Sequence, residues 1–137
     1  MTIDELLEEF RELDDWDDRC DLLIDLGFEL PDFPEDARTE ENRVHGCMSQ
    51  VWMVARLLPE QDSLIEILAD SDSVLVKGLI YILLTLFSGK TAEQILATDA
   101  KAAFGEIGLD QHLSTQRKNG LNGMVQRIRE FAAGAQT

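Results

Sequence analysis

The stretch Asn42-Arg43-Val44-His45-Gly46-Cys47-Met48-Ser49-Gln50-Val51-Trp52 concentrates the residue types best suited to chemistry. A cysteine follows a glycine just before a run of branched and aromatic side chains. Cys47 is therefore expected on a loop at a sheet edge, where the backbone can come close to another molecule. The thiolate is the form that attacks sulfur or binds metal. A free cysteine has a pKa of about 8.5, and cationic neighbours such as Arg43 and His45 favour its ionised form. Ser49 and the amides of such a loop can donate hydrogen bonds to a sulfur anion.

The other reactive candidates are few. The chain has two cysteines and two histidines, and it contains no phosphate-binding glycine loop, no HExxH and no CxxC. Cys20 falls on an apolar helical stripe with Trp16 and Leu23, where a cysteine acts as a small buried hydrophobe. Cys47, among glycine and polar neighbours, is outside any stripe. Two further arrangements use the same residues. One is a thiol redox pair with Cys20 resolving Cys47. The other is a binding module with a structural zinc held by Cys20, His45, Cys47 and His112, although only His45 and Cys47 are close in sequence and structural zinc sites bring their ligands in local pairs. The carboxylates of the first forty residues alternate on faces expected to be solvated.

The elements that must position Cys47 are legible in the spacing. Thr2 and Glu5 have capping-box spacing ahead of Ile3, Leu6, Leu7, Phe10 and Leu13, which predicts a first amphipathic helix. Asp15 caps a second, with Trp16, Cys20, Leu23 and Leu26 on one side and Gly27 as the left-handed residue after its end. Pro31, Phe33 and Pro34 with the charged run Glu35 to Glu41 form a surface connection. Val51 to Leu58, the turn Pro59-Glu60-Gln61-Asp62 and Ser63 to Ala69 read as a β-hairpin.

Val74 to Phe87 is too long for a strand and apolar nearly all round, so it reads as a buried central helix closed by Gly89. Thr91 and Gln94 mark a short capped helix through Ala97, and Lys101 to Ile107 a further turn or two ending at Gly108. Leu121, Met124, Val125, Ile128 and Ala132 place a last amphipathic helix over residues 115–133. Strands clustered between helices predict an α+β fold, a small antiparallel sheet packed against several helices, as one domain over residues 1–137.

Composition sets the outer limits. The chain has 27 Asp plus Glu against 12 Lys plus Arg, a net charge of -15. Such a field repels nucleic acid and anionic membrane surfaces, so neither is expected as a partner. The charge is polarised: residues 1–41 hold 17 acids and 3 bases, and the remainder holds 10 acids and 9 bases. An acidic face of this kind can steer the chain onto a basic patch of a partner. The acidic start MTIDELLEEF lacks the positive charge of a leader, which makes the expected location cytoplasmic. The longest apolar run, Leu79 to Phe87, is about half of the roughly 20 residues a bilayer span needs.

The segment from His45 to Trp52 resembles the GCxSxVW motif of the SufE family of sulfur-acceptor proteins. Asp70-Ser71-Asp72-Ser73 running into Val76-Lys77-Gly78-Leu79 resembles the family's second signature, and residues 111–121 its C-terminal one, in the family's order. The resemblance implies a SufE/IscU-like α+β fold with no cofactor of its own. It also implies a carrier, Cys47, that takes persulfide sulfur from a PLP-dependent cysteine desulfurase of the SufS/CsdA type, stimulating it, and passes the sulfur to an iron-sulfur scaffold of the SufBCD type. This is a relay role more than that of a stand-alone enzyme.

Cluster scaffolds of this fold need several ligands, and one thiol in this position matches the acceptor branch. By the same resemblance His45, Gly46, Ser49, Asp72 and Arg117 belong to the cysteine loop and docking surface and Gly46 permits the loop to swing, while Gly78 and Trp52 are structural, Gly78 for close packing and Trp52 as a core anchor. Asp72 also reads as an N-cap for the central helix, and Arg117 as a first-turn residue of the last one. Met48 stands where family members often carry Gln or Glu, and His45 where a small or polar residue is common.

Overall fold

A computed structural model describes residues 2–45 and 49–135. The hairpin pairs β1 (Val51–Leu58) with β2 (Leu64–Ser71), antiparallel and in a register running from Val51 opposite Ser71 to Leu58 opposite Leu64. The turn between them is a short 3-10 segment, Pro59–Gln61, followed by Asp62 and Ser63, both at φ +59°. Alternation gives the sheet one buried face, made by Val51, Met53, Ile65, Ile67 and Ala69.

Both outer edges of this two-stranded sheet are partly closed, which removes the open backbone row that invites pairing with other chains. On the β2 side the Ile65 amide donates to the Lys90 carbonyl at 2.7 Å, and the Ile67 amide donates to Ser88 Oγ at 3.0 Å. On the β1 side the Val44 amide donates to the Val51 carbonyl at 2.9 Å, and Arg43 bridges to Trp52.

The core lies between that face and the helices. α1 (Ile3–Arg11) starts at Thr2, whose hydroxyl accepts the Glu5 amide at 3.2 Å, and it buries Leu6, Leu7 and Phe10. α2 (Trp16–Gly27) starts at Asp15, whose carboxylate accepts the Asp17 amide. α3 (Val74–Phe87) is the central helix, burying residues on most of its circumference as its composition demands. Then come α4 (Ala92–Ala97) with the Thr91–Gln94 capping box, α5 (Ala100–Glu106) capped by Asp99, and α6 (Leu109–His112). The last helix, α7 (Thr115–Ala135), packs Leu121, Met124, Ile128 and Ala132 inward. Among the described residues no helix is long and apolar enough to cross a membrane.

Three sequence expectations are corrected. Gly27 is the last residue of α2 and does not turn left-handed; its hydrogen faces α3, where a Cβ would sit 2.8 Å from Lys77 Cβ. Close helix approach, not turn geometry, is what this position requires. The N-cap of α3 is Ser73, whose hydroxyl accepts the Val76 amide at 3.4 Å, so Asp72 is left for another role. Trp52 points to the opposite side of the hairpin from the core and is half-buried. There the Arg38 guanidinium lies over it, 5.1 Å from the ring centroid, and also 5.5 Å from the ring of Phe33. Arg38 donates to Asp70 Oδ2 at 2.6 Å, across the hairpin from Trp52, so this cluster fastens the long connection after α2 to the sheet. The hairpin, the starts of α1, α2, α3, α4 and α7 and the ends of α3 and α4 fall where the spacing places them, whereas α6 has no counterpart in the sequence reading.

Candidate functional site: the loop between residues 44 and 51

Gly46, Cys47 and Met48 lie outside the described residues, so the site is built from what surrounds them. The chain enters at Val44 and leaves at Val51, and the hydrogen bond between those two residues pins the ends of a short loop together. On the outgoing side, the Gln50 amide donates to Asp72 Oδ1 at 3.0 Å, and the Asp72 amide donates back to the Gln50 carbonyl at 3.2 Å. Asp72 is thus a positioning residue for the loop's outgoing limb, the role left open once Ser73 takes the cap.

The incoming limb is held by α7. Arg127 donates from Nη1 to the Arg43 carbonyl at 2.8 Å and from Nη2 to the Glu41 carbonyl at 2.6 Å. A Cβ at Gly123 would stand 3.5 Å from the His45 carbonyl oxygen and 3.7 Å from Val44 Cγ1, so this helix runs directly against the loop's base. Neither Arg127 nor Gln50 was singled out from the sequence. Arg127 flanks the apolar stripe of α7 like any solvated helix residue, and a contact through main-chain carbonyls leaves no trace in the residue types it touches.

The predicted neighbours divide. His45 is exposed, and its Nε2 lies 3.1 Å from Glu40 Oε1. Arg43 Nη1 lies 3.9 Å from Glu40 Oε2. One carboxylate therefore faces both His45 and Arg43, and it offsets part of the Arg43 field at the loop's incoming limb. Ser49 is half-buried on the loop's outgoing limb.

Arg117 stands in the first turn of α7, where its amide donates to Ser114 Oγ at 3.2 Å. Its Nη1 is buried and has no hydrogen-bond partner among the described residues. A buried guanidinium nitrogen without an acceptor is costly. No ion pair joins Arg117 to Asp72 among the described residues; the two residues sit on the elements that flank the loop, α7 and the β2–α3 junction.

The remaining chemistry-bearing residues are elsewhere. His112 is exposed and stacked on Trp16, with centroids 4.5 Å apart and planes at 10°. Cys20 is half-buried on α2, and burial pushes its thiol pKa up, with the carboxylates of Asp17 and Asp21 adding to the rise. A raised pKa leaves less thiolate at neutral pH than in a free cysteine. Cys20 in the folded chain is accordingly expected to react with iodoacetamide several-fold more slowly than in the chain unfolded in guanidinium. Time-resolved alkylation followed by peptide mapping measures this; equal rates in the two states would contradict it. Among the described residues no three His, Cys, Asp or Glu side chains gather as metal ligands.

These features define an α+β protein whose chain between Val44 and Val51 is tied at both limbs, to Asp72 on one side and to Arg127 of α7 on the other. The fold is shared with a solution structure of a hypothetical protein from Thermus thermophilus, at a TM-score of 0.77 and 20% identity, covering 99% of this chain and 98% of the other. A family model, SufE, described as an Fe-S metabolism associated domain, matches residues 4–132. The chain is 46% identical over 134 residues to an uncharacterized SufE-like protein of Rhizobium meliloti, covering 97% of this chain and 96% of the relative. It is also 46% identical over 132 residues to one of Rhizobium etli, covering 96% and 89%. The chain belongs to the SufE family.

Proposed function

We propose that this protein, acting as one domain across residues 1–137, is a cytoplasmic sulfur acceptor that carries sulfane sulfur on Cys47 from a cysteine desulfurase to an iron-sulfur cluster scaffold. The observation that carries the reading is membership of an Fe-S metabolism family together with a Gly-Cys pair set in a loop whose two limbs are separately fastened. A carrier thiol has to be presented to two different partners in turn, and a short loop with fixed ends and a glycine at its centre suits that demand.

The transfer is two successive thiol–persulfide exchanges. The Cys47 thiolate attacks the terminal sulfur of the donor's persulfide, a new S–S bond forms, the donor's S–S bond breaks, and the donor cysteine leaves as a thiolate. The proton on the terminal sulfur travels with it, so no external oxidant or reductant is consumed. A scaffold thiolate then attacks the sulfur held on Cys47 and releases Cys47 as a thiolate, ready for another cycle. Desulfurase turnover rises because its persulfide is removed.

Within this scheme the backbone amides of the loop and Ser49 stabilise the sulfur anion, Asp72 fixes the outgoing limb, and Arg117 supplies a buried cation on the flanking helix. His45, paired to Glu40, tunes the field at the loop's incoming limb. The test is the rate of alanine formation from cysteine by a PLP-dependent desulfurase with and without this chain. A saturable, several-fold stimulation is expected. A rate independent of the added chain with every desulfurase of the source organism would overturn the reading.

A further inference from the structure

From the second half of α7, Arg127 donates through both ends of its guanidinium to two main-chain carbonyls, that of Arg43 at 2.8 Å and that of Glu41 at 2.6 Å. A planar fork across two acceptors fixes direction as well as distance, which a single ammonium does not. The other hydrogen bonds of this limb stay within the connection or go to β1: Asn42 Nδ2 donates to the Ala37 carbonyl at 2.9 Å, and the Val44 amide to the Val51 carbonyl at 2.9 Å. Arg127 adds α7 to them. Cys47 follows Arg43 by four residues and precedes Val51 by four, so the held backbone leads directly to the thiol.

The link crosses a gap in the packing. A cavity of about 240 Å³ lies among Met53, Val54 and Ala55 of β1 and Arg127, Ile128 and Phe131 of α7, with Asn42 at its border. A space of that size beside a half-buried guanidinium admits water, so the two carbonyls would be solvated and not orphaned if Arg127 were removed. Leu121, Met124, Ile128 and Ala132 hold α7 on the core independently of Arg127. Loss of the fork therefore costs the fold little, and what it removes is the direction in which the limb enters the loop.

We infer that Arg127 is a positioning residue for sulfur transfer: its fork on the Arg43 and Glu41 carbonyls aims the limb that leads to Cys47, so that the thiolate meets the donor's persulfide in line once the desulfurase is docked. This rests on the sulfur-acceptor reading above. Attack on sulfur depends on alignment, and a misplacement of about 1 Å can cost about a hundredfold in rate. Asp72 aims the outgoing limb through Gln50, from a different element. With two separate supports, loss of one weakens the transfer step without abolishing it.

The experiment titrates a desulfurase with wild type, Arg127→Ala, Arg127→Gln, Arg127→Lys and Arg129→Ala, beside melting curves and amide hydrogen exchange of each variant by NMR. Arg127→Ala and Arg127→Gln are expected to lower maximal stimulation about tenfold at an unchanged half-saturating concentration, because the complex still forms but aligns the thiol less often. Exchange at the Val44 amide should quicken about tenfold in both, with melting temperatures within about 3 °C of wild type. Arg127→Lys keeps the charge and loses the fork, so it is expected to follow Arg127→Ala. Arg129→Ala is the control, since Arg129 Nη1 is directed to the Thr98 carbonyl at 3.5 Å, and it should stay within about twofold of wild type. Full stimulation by Arg127→Lys, an unchanged maximum for Arg127→Ala, or a raised half-saturating concentration at an unchanged maximum overturns the inference. Failure of the underlying reading looks different: wild type itself then gives no stimulation at any concentration, while exchange at Val44 still reports the fork.

Discussion

Replacing Cys47 by serine is expected to abolish sulfur acceptance, a loss of about a thousandfold or more, with desulfurase stimulation falling to the level seen without the chain. Serine keeps the size and hydrogen bonding of the side chain but provides no thiolate, so the S–S exchange has no attacking sulfur. Circular dichroism and a melting curve check that Cys47→Ser folds, and docking is expected to depend on the surface around the loop. The variant should therefore still occupy the desulfurase. Added in excess to wild type, Cys47→Ser is expected to depress stimulation by mass action, in proportion to its excess. The measurement is alanine formation by the desulfurase with wild type alone, variant alone and mixtures. Stimulation retained by the variant would mean that the chain acts on the desulfurase without accepting sulfur.

The second large effect concerns the helix crossing that sets the β2–α3 junction in place. Gly78 of α3 faces Leu23 of α2 so closely that an added Cβ would meet the Leu23 backbone, 2.6 Å from its carbonyl carbon and 2.8 Å from its Cα. Backbone cannot rotate away as a side chain can, so the two helices would have to separate along the centre of the core. Gly78→Ala is expected to cost about 3 kcal/mol, a large fraction of the stability of an ordinary domain, and to lower the melting temperature by about 10 °C or more. Gly105→Ala is the matched control. Gly105 is inside α5 with nothing within 4 Å of where its Cβ would be, and the substitution is expected to be neutral or to stabilise by about 0.5–1 kcal/mol through helix propensity. Thermal and denaturant unfolding of the two variants checks both values. Equal melting temperatures for Gly78→Ala and wild type would contradict the packing account.

Particular residues show how far the sequence carries. The hairpin, the central helix and the caps at Thr2, Asp15 and Thr91 were legible because each is set by a local pattern: alternation, an unbroken apolar run, or a polar residue two or three positions ahead of its partner amide. Gly27 shows where such patterns fail, since a glycine at a helix end suits a left-handed turn and a close helix contact equally well, and only the tertiary position of Lys77 decides between them. Asp72 and Ser73 are both good caps, so the assignment of one to Gln50 and the other to α3 depends on where the hairpin brings the loop. Trp52 reads as core because of its size. Its strand position puts it on the outer face instead, where Arg38 covers it.

At the site, the family motif points to Cys47, Asp72 and Arg117, but not to the clamp that Arg127 places on the Arg43 and Glu41 carbonyls. Nor does it show that Glu40 faces both His45 and Arg43. Main-chain acceptors and alternative ion-pair partners are decided by three-dimensional proximity, which residue types alone do not encode.

The most direct test of the account is intact-mass spectrometry of the chain after incubation with a cysteine desulfurase, PLP and cysteine, followed by peptide mapping. The account predicts a gain of about 32 Da, one sulfur atom, located on the peptide containing Cys47, removed by reductant and absent from Cys47→Ser. A chain that gains no sulfur while the desulfurase turns over, or that carries the added mass on the Cys20 peptide, would contradict it.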